Sequence, residues 1–319
     1  MRPAIVALFA AALAVTSPAI GEEWPQKPVR IVVPYAAGGN TDIIARITAQ
    51  HMTTAFGQPF IIENKVGAAG ALAADYVAKQ PADGYTLFLG TLSQLGPVPL
   101  TQKVNYDPLK DFTPISNIGV DSFVIVINSN LPVKDLKEFV EYVKARPGKL
   151  NYGSGGLGSL THLVPALFLQ RAGLDMVHVP YKGTAPALTD TISGQVQMYA
   201  GFPSELKGHV GDEKLKFLGI TAEHRNPSLP NVPTVSEFYP GFTALTWNGL
   251  LGPAHLPEPI VRKLAQEIER SMKDPAFRDR LVKMGLEPAQ TTPAQFAAQI
   301  EKEYAMWGDV IKKAGIKPE

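Results

Sequence analysis

At 319 residues, 45% hydrophobic and 18% charged, with a mean hydropathy of +0.01, the chain is long enough to bury one large core or two ordinary ones and reads as a soluble globular protein. Its formal net charge is +1 and no run of Lys or Arg forms a stripe, which argues against nucleic acid or an anionic membrane surface as partner. The absence of cysteine leaves no disulfide framework and no thiol for a lipid anchor.

Residues 1–21 read as a secretory signal peptide, with Arg2 as the charged start, an unbroken apolar run over 4–15, and small residues around Ala19 and Gly21 placed for cleavage. The run falls short of the ~20 apolar residues that a membrane-spanning helix requires. Export without cysteines fits a freely soluble periplasmic protein. Cleavage would remove Arg2 and leave a formally neutral chain.

Residues 29–35 form a compact apolar strand that ends in a Gly turn. Asn40 or Thr41 is placed to cap a following helix, whose Ile43, Ile44 and Ile47 recur at helical spacing. Residues 60–64 predict a second strand, the small residues from Gly67 to Ala74 a second helix, and 85–90 a third strand. This alternation implies parallel sheets covered on both faces, with ligands beyond the strands' carboxyl ends. Residues 91–114 are polar and contain proline, and predict a long surface loop with a helical turn. A β-rich run over 118–128 predicts the crossing into a second lobe. An amphipathic helix over 133–145 follows, with Leu136, Phe139, Val140 and Val143 on one face.

A short strand over 149–152 then leads through a second Gly-rich turn, 153–162, into a helix over 160–171. Strands are expected at 176–181, 195–200 and 215–221 and a helix over 185–193, with a connecting loop at 222–240 and a return crossing at 242–251. Helices over 259–273, 275–284 and 293–314, each opened by a proline, complete the first lobe.

The two Gly turns are the candidate site. A helix N-terminus offers unpaired amides and a partial positive charge, so an anion can be held there without Lys or Arg, and glycine lets it approach the backbone. Tyr35, Ala36, Ala37, Gly38, Gly39, Asn40, Thr41 and Asp42 form one such turn. Ser154, Gly155, Gly156, Gly158, Ser159 and His162 form the other. Thr91, Ser93, Lys182, Gly201 and Phe202 are further candidates for ligand contact. Asp42 either caps its own helix, the favoured role, or orients the Gly38-Gly39 turn. Tyr35 and Phe202 are candidate aromatic walls.

Gly153, Gly155 and Gly158 also satisfy GxGxxG, with Asp175 17 residues beyond Gly158. The strand before them is short and polar, and an exported protein rarely meets NAD, so no dinucleotide cofactor is expected. Ser159 and His162 lack a GxSxG surround, and the six histidines have no metal-ligand spacing, so neither an enzyme nor a metal site is expected.

Five stretches, in order, carry a resemblance over essentially the whole mature chain: WPQKPVRIVVPYAAGGNTDIIAR, NYGSGGLGSLTH, HVPYKGTAPALTDTISGQVQM, PSLPNVPTVSEF and WGDVIKKAGIKPE. They resemble the Bug-type, TctC-like receptors, the periplasmic solute-binding components of tripartite tricarboxylate transporters. The resemblance implies an α/β, type II periplasmic-binding-protein fold, two α/β lobes joined by two crossing strands and closing on a carboxylate between them. Lobe boundaries are then 22–121 plus 246–319, and 122–245. It implies a monomer that passes a di-/tricarboxylate or aromatic carboxylate to a membrane permease with a large and a small subunit. The same fold would serve a ligand sensor for a signalling kinase, and a secreted α/β enzyme is the remaining alternative. Pro165 and Gln197 depart from the family pattern. The run Tyr199-Ala200-Gly201-Phe202-Pro203 replaces an acidic ending that in relatives often meets a ligand amino or hydroxyl group, which favours a plain or aromatic carboxylate.

Overall fold

The computed structural model describes residues 24–313, so the signal peptide expected at 1–21 lies outside the described residues. Buried aliphatic runs set the first half: β1 (Val29–Val33) lies parallel to both β2 (Phe60–Asn64) and β3 (Thr86–Thr91), with α1 (Asn40–Phe56) and α2 (Ala71–Ala78) as crossovers. Two short helices follow, α3 (Leu92–Leu95) and α4 (Pro97–Thr101), and then the long strand β4 (Phe112–Ser122). The loop with a helical turn expected over 91–114 is therefore corrected in part: its irregular stretch is confined to 102–111, and its helical portion is two short helices. Thr91 and Gln94 form a reciprocal capping box that starts a helix, and Leu92, Leu95 and Val98 are buried.

After Phe123 the chain enters a second sheet. Its elements are β5 (Val124–Asn128), α5 (Leu136–Lys144), β6 (Asn151–Ser154), α6 (Leu160–Ala172), β7 (Val177–Pro180), α7 (Thr184–Ser193), β8 (Met198–Gly201), the one-turn α8 (Pro203–Leu206) and β9 (Leu215–Ile220). The apolar stripe of α5 is buried as its spacing predicts, and Asp135 caps it by accepting from the Glu138 amide. The chain returns in β10 (Leu245–Pro253), followed by α9 (Glu258–Lys273), α10 (Pro275–Val282), the two-residue β11 (Glu287–Pro288) and α11 (Pro293–Lys313).

The strand orders are β11-β4-β10-β3-β1-β2 and β7-β6-β8-β5-β9. Both sheets are mixed, which corrects the expectation of parallel ones: β10 runs antiparallel to β3 and β4, and β5 antiparallel to β8 and β9. The reason is that β4, β5 and β10 run between sheets and are not joined by local crossover helices. The result is two α/β lobes joined at a waist where β4 runs on into β5 and the chain returns into β10.

One residue bonds both strands at that waist. Thr221 is fully buried. Its hydroxyl accepts from the Phe123 amide at 2.9 Å and donates to the Ala244 carbonyl at 2.5 Å. Its own amide donates to the Phe123 carbonyl, and its carbonyl accepts from the Ala244 amide. The outgoing and returning strands are thus clipped together where the sheets meet.

Candidate functional site

α1 begins at Asn40 with Gly39 as its N-cap, and no side chain caps it, contrary to the expected Asn40 or Thr41 cap. Its first intrahelical bond runs from the Ile43 amide to the Gly39 carbonyl, so the helix makes no use of the amides of Asn40, Thr41 and Asp42. Asp42 orients the turn instead of capping the helix: its carboxylate accepts from the Gly38 amide at 2.9 Å, from Asn64 and from Arg46. Burial acts to raise the Asp42 pKa, but Arg46, Gly38 and Asn64 outweigh it and hold the carboxyl below its usual value. Gly38 has φ +83°, which a side chain adopts only with strain. Ala36, Ala37 and Gly38 are exposed, whereas Asn40, Thr41 and Asp42 are buried.

The second turn uses many of its own amides. Gly155 donates to the Thr161 hydroxyl at 2.9 Å, Gly156 to the Ser154 hydroxyl, Gly158 to His162 Nδ1 at 3.1 Å, and Ser159 to the Gly156 carbonyl. The amides of Leu160 and Thr161 precede the first bonds of α6. Ser159 Oγ donates to the Gly156 carbonyl and does not meet His162. The serine with an imidazole partner is Ser154, 2.7 Å from His178 Nε2 and fully buried.

His178 escaped the sequence reading because parallel pairing of β6 with β7 brings it across from Tyr152. The His162 and His178 rings stack at 3.8 Å, with Tyr152 beside both. Burial lowers the His162 pKa to about 4, and burial with the His162 neighbour lowers that of His178 to about 3. Both are neutral in the folded protein, whereas in the unfolded chain each protonates near pH 6.5. The unfolded state therefore binds more protons below that pH, and stability is lost as pH falls from 6.5 toward those lowered values. His178→Gln is expected to remove about half of this histidine-linked loss of melting temperature between roughly pH 6.5 and 4. An unchanged profile refutes the assignment.

Residues 91–102 touch both turns. The Tyr35 hydroxyl lies 3.4 Å from Thr91 Oγ1 and accepts from Gln94 Nε2 at 2.9 Å. Gln102 Nε2 donates to the Leu157 carbonyl at 2.7 Å, and Gly158 lies against Thr101. Ser93 is buried in the same segment. Separately, Asn226 donates to the Gly285 carbonyl at 3.0 Å and Lys207 bonds the Lys283 carbonyl. The lobes therefore meet at more than one place. Phe202 packs against Phe123 with the rings tilted and centroids 5.0 Å apart, at the waist, and Gly201 ends β8 beside it. Lys182 is exposed. Among the described residues no group of His, Asp and Glu is placed to hold a metal ion, and no helix is long and apolar enough to cross a membrane.

Two α/β lobes, each with a Gly-rich turn opening a helix and both turns in contact with residues 91–102, have the layout of a two-lobed solute-binding protein. The family model for the tripartite tricarboxylate transporter family receptor, TctC, matches residues 44–316, and the chain belongs to that family of periplasmic binding proteins, which are receptors and not enzymes. It is similar to R. palustris Rpa4515, solved with adipate, at 34% identity and TM-score 0.89, covering 93% of this chain and 100% of that one. It is similar to MatC from Rhodopseudomonas palustris, solved with bound malate, at 35% identity and TM-score 0.83, covering 90% and 100%. Protein BugT of Bordetella pertussis is 32% identical over 318 residues, 98% of this chain and 97% of the relative.

Proposed function

We propose that the protein is an exported, monomeric receptor that holds a small carboxylate, a di-/tricarboxylate or an aromatic acid, between its lobes and delivers it to the two-subunit permease of a tripartite tricarboxylate transporter. The lobes are 22–121 plus 246–319, and 122–245. The observation that carries this reading is the pair of helix N-termini, α1 and the turn into α6, both resting on residues 91–102. Each leaves backbone amides with a partial positive charge, and together they suit the two ends of a diacid. Adipate in Rpa4515 and malate in MatC support the ligand class.

Ligand held by both lobes stabilises the state in which they touch, and no covalent chemistry is required. Micromolar affinity amounts to about 8 kcal/mol. Charge-assisted hydrogen bonds can supply it after ordering costs.

A thermal-shift screen of residues 22–319 against succinate, adipate, malate, citrate and benzoate tests the reading. At roughly 100 times its dissociation constant, a ligand adds about 2.7 kcal/mol of stability, which raises the melting temperature by several degrees. A protein stabilised by sugars and indifferent to every carboxylate is not this receptor.

A further inference from the structure

The first cradle is bordered by a cluster of buried polar groups that none of the expected site residues except Asn40 includes. Asp121, near the end of β4, is 1% exposed. Its Oδ2 accepts from Asn40 Nδ2 at 2.8 Å and its Oδ1 from the Ser122 amide at 2.9 Å. Across the sheet Asp121 pairs with Thr246 on β10. Two residues on, and so on the same face, Asn248 pairs with Thr91. Asn40 Oδ1, Thr246 Oγ1 and Asn248 Oδ1 are buried and have no hydrogen-bond partner among the described residues, with Asn40 7%, Thr246 3% and Asn248 1% exposed.

Burying an unpaired polar atom costs stability, so three of them around one carboxyl are not explained by folding. Their chemistry is one-sided. Asn40 turns its amide nitrogen to Asp121, which leaves its oxygen over. Asn248 leaves an oxygen, and Asp121 retains lone pairs. Such a wall complements a donor.

The second lobe contributes another acid. Phe202 packs with tilted rings against Phe123, two residues after Asp121, and Glu205 follows Phe202 by three, held by the hydroxyls of Thr184 at 2.6 Å and Tyr199 at 2.9 Å. Burial raises the pKa of both carboxyls, and the charge of Glu205 raises that of Asp121 further. The pairing of β5 with β8, which sets Val124 beside Gly201, therefore holds two acids near one another, a cost that a donor placed beside them relieves.

We infer that Asp121, with Asn40, Thr246 and Asn248, selects a carboxylate that also carries a hydrogen-bond donor, a hydroxyl or an ammonium, beside the carboxylate seated on α1. This rests on the carboxylate-receptor reading and narrows it to hydroxy or amino acids, where the sequence had favoured plain or aromatic ones. A site built to hydrogen-bond a ligand donor rejects the analogue lacking it, because its own buried groups are then left unpaired.

Calorimetric titration of residues 22–319 with matched sets tests the inference: succinate, malate and aspartate; glutarate, 2-hydroxyglutarate and glutamate; adipate and 2-aminoadipate; phenylacetate and mandelate. Within the set that binds, a substituted acid is expected to bind at least about ten-fold more tightly than the plain one. Preference for the hydroxy acid identifies a hydroxyl, and for the amino acid an ammonium. In Asp121→Asn the preference is expected to fall to about three-fold or less, with the plain acid little affected. Thr246→Val, which replaces an unpaired hydroxyl by a methyl, is expected to raise the melting temperature of the free protein and to weaken the substituted acid. This pairing of gain and loss distinguishes a ligand-facing group from a structural one. Binding of plain acids without preference, or an unchanged ratio in both variants, overturns the inference alone. Failure of every acid in all four sets overturns the receptor reading and the inference with it.

Discussion

Gly158→Ala is expected to weaken ligand binding by about thirty- to a hundred-fold while each lobe stays folded. A Cβ at Gly158 would stand 2.3 Å from Thr101 Oγ1 and 3.2 Å from Gln102 Nε2. The backbone there has φ +73°, which costs a non-glycine residue about 1–2 kcal/mol whether the lobes are together or apart. The collision with Thr101 differs in kind. Gly158 follows β6 of one sheet and Thr101 ends a helix packed with the other, so the clash exists only when the lobes meet. Its whole cost falls on the binding-competent state, and apparent affinity drops with the population of that state. Thr101→Ala in the same molecule removes the offending oxygen and is expected to restore about ten-fold of the loss. Titration calorimetry on the single and double variants decides. Equal affinity in wild type and Gly158→Ala would mean that this contact plays no part in closure.

Thr221→Val is expected to lower the melting temperature by about 5–10 °C. The substitution keeps volume and shape but leaves the buried Phe123 amide and a buried lone pair of the Ala244 carbonyl without the hydroxyl that joins them. Each orphaned group costs about 1–3 kcal/mol. A kcal/mol corresponds to roughly 2–4 °C in a protein of this size. The damage is concentrated at the waist, so hydrogen exchange is expected to speed up at Phe123 and Ala244 before it does in the sheet interiors. A melting temperature within a degree of wild type would show that the strands are held together by other means.

The strand–turn–helix units were legible in the sequence because each is local: an apolar run, a Gly turn and helical spacing lie within about twenty residues of one another. Both Gly-rich turns open helices, and the α5 stripe is buried as its spacing predicts. What escaped is non-local. Asp121, Thr246 and Asn248 lie inside apolar β-rich runs, where nothing nearby marks them, and only the pairing of β4 with β10 sets Thr246 and Asn248 on one face with Asp121, the partner of Asn40. His178 reaches Ser154 by the same route, through β6 and β7. The 91–114 segment was misread because proline and polar residues suggest a loop, whereas here Pro97 begins a helix and Gln94 turns inward to Tyr35 and the Ala69 carbonyl. The glycine cap of α1 was missed because Asn and Thr are the better caps by propensity, and Asn40 is instead committed to Asp121.

Residues 91–102 lie under one cradle and carry the Leu157 carbonyl of the other through Gln102. In the receptor proposed above, occupancy deep in the molecule would thereby become a fixed relation between two outer edges. A second protein would sense a full receptor from that rim alone, without touching the cargo, so one partner surface would serve different acids as long as each draws the same two edges together.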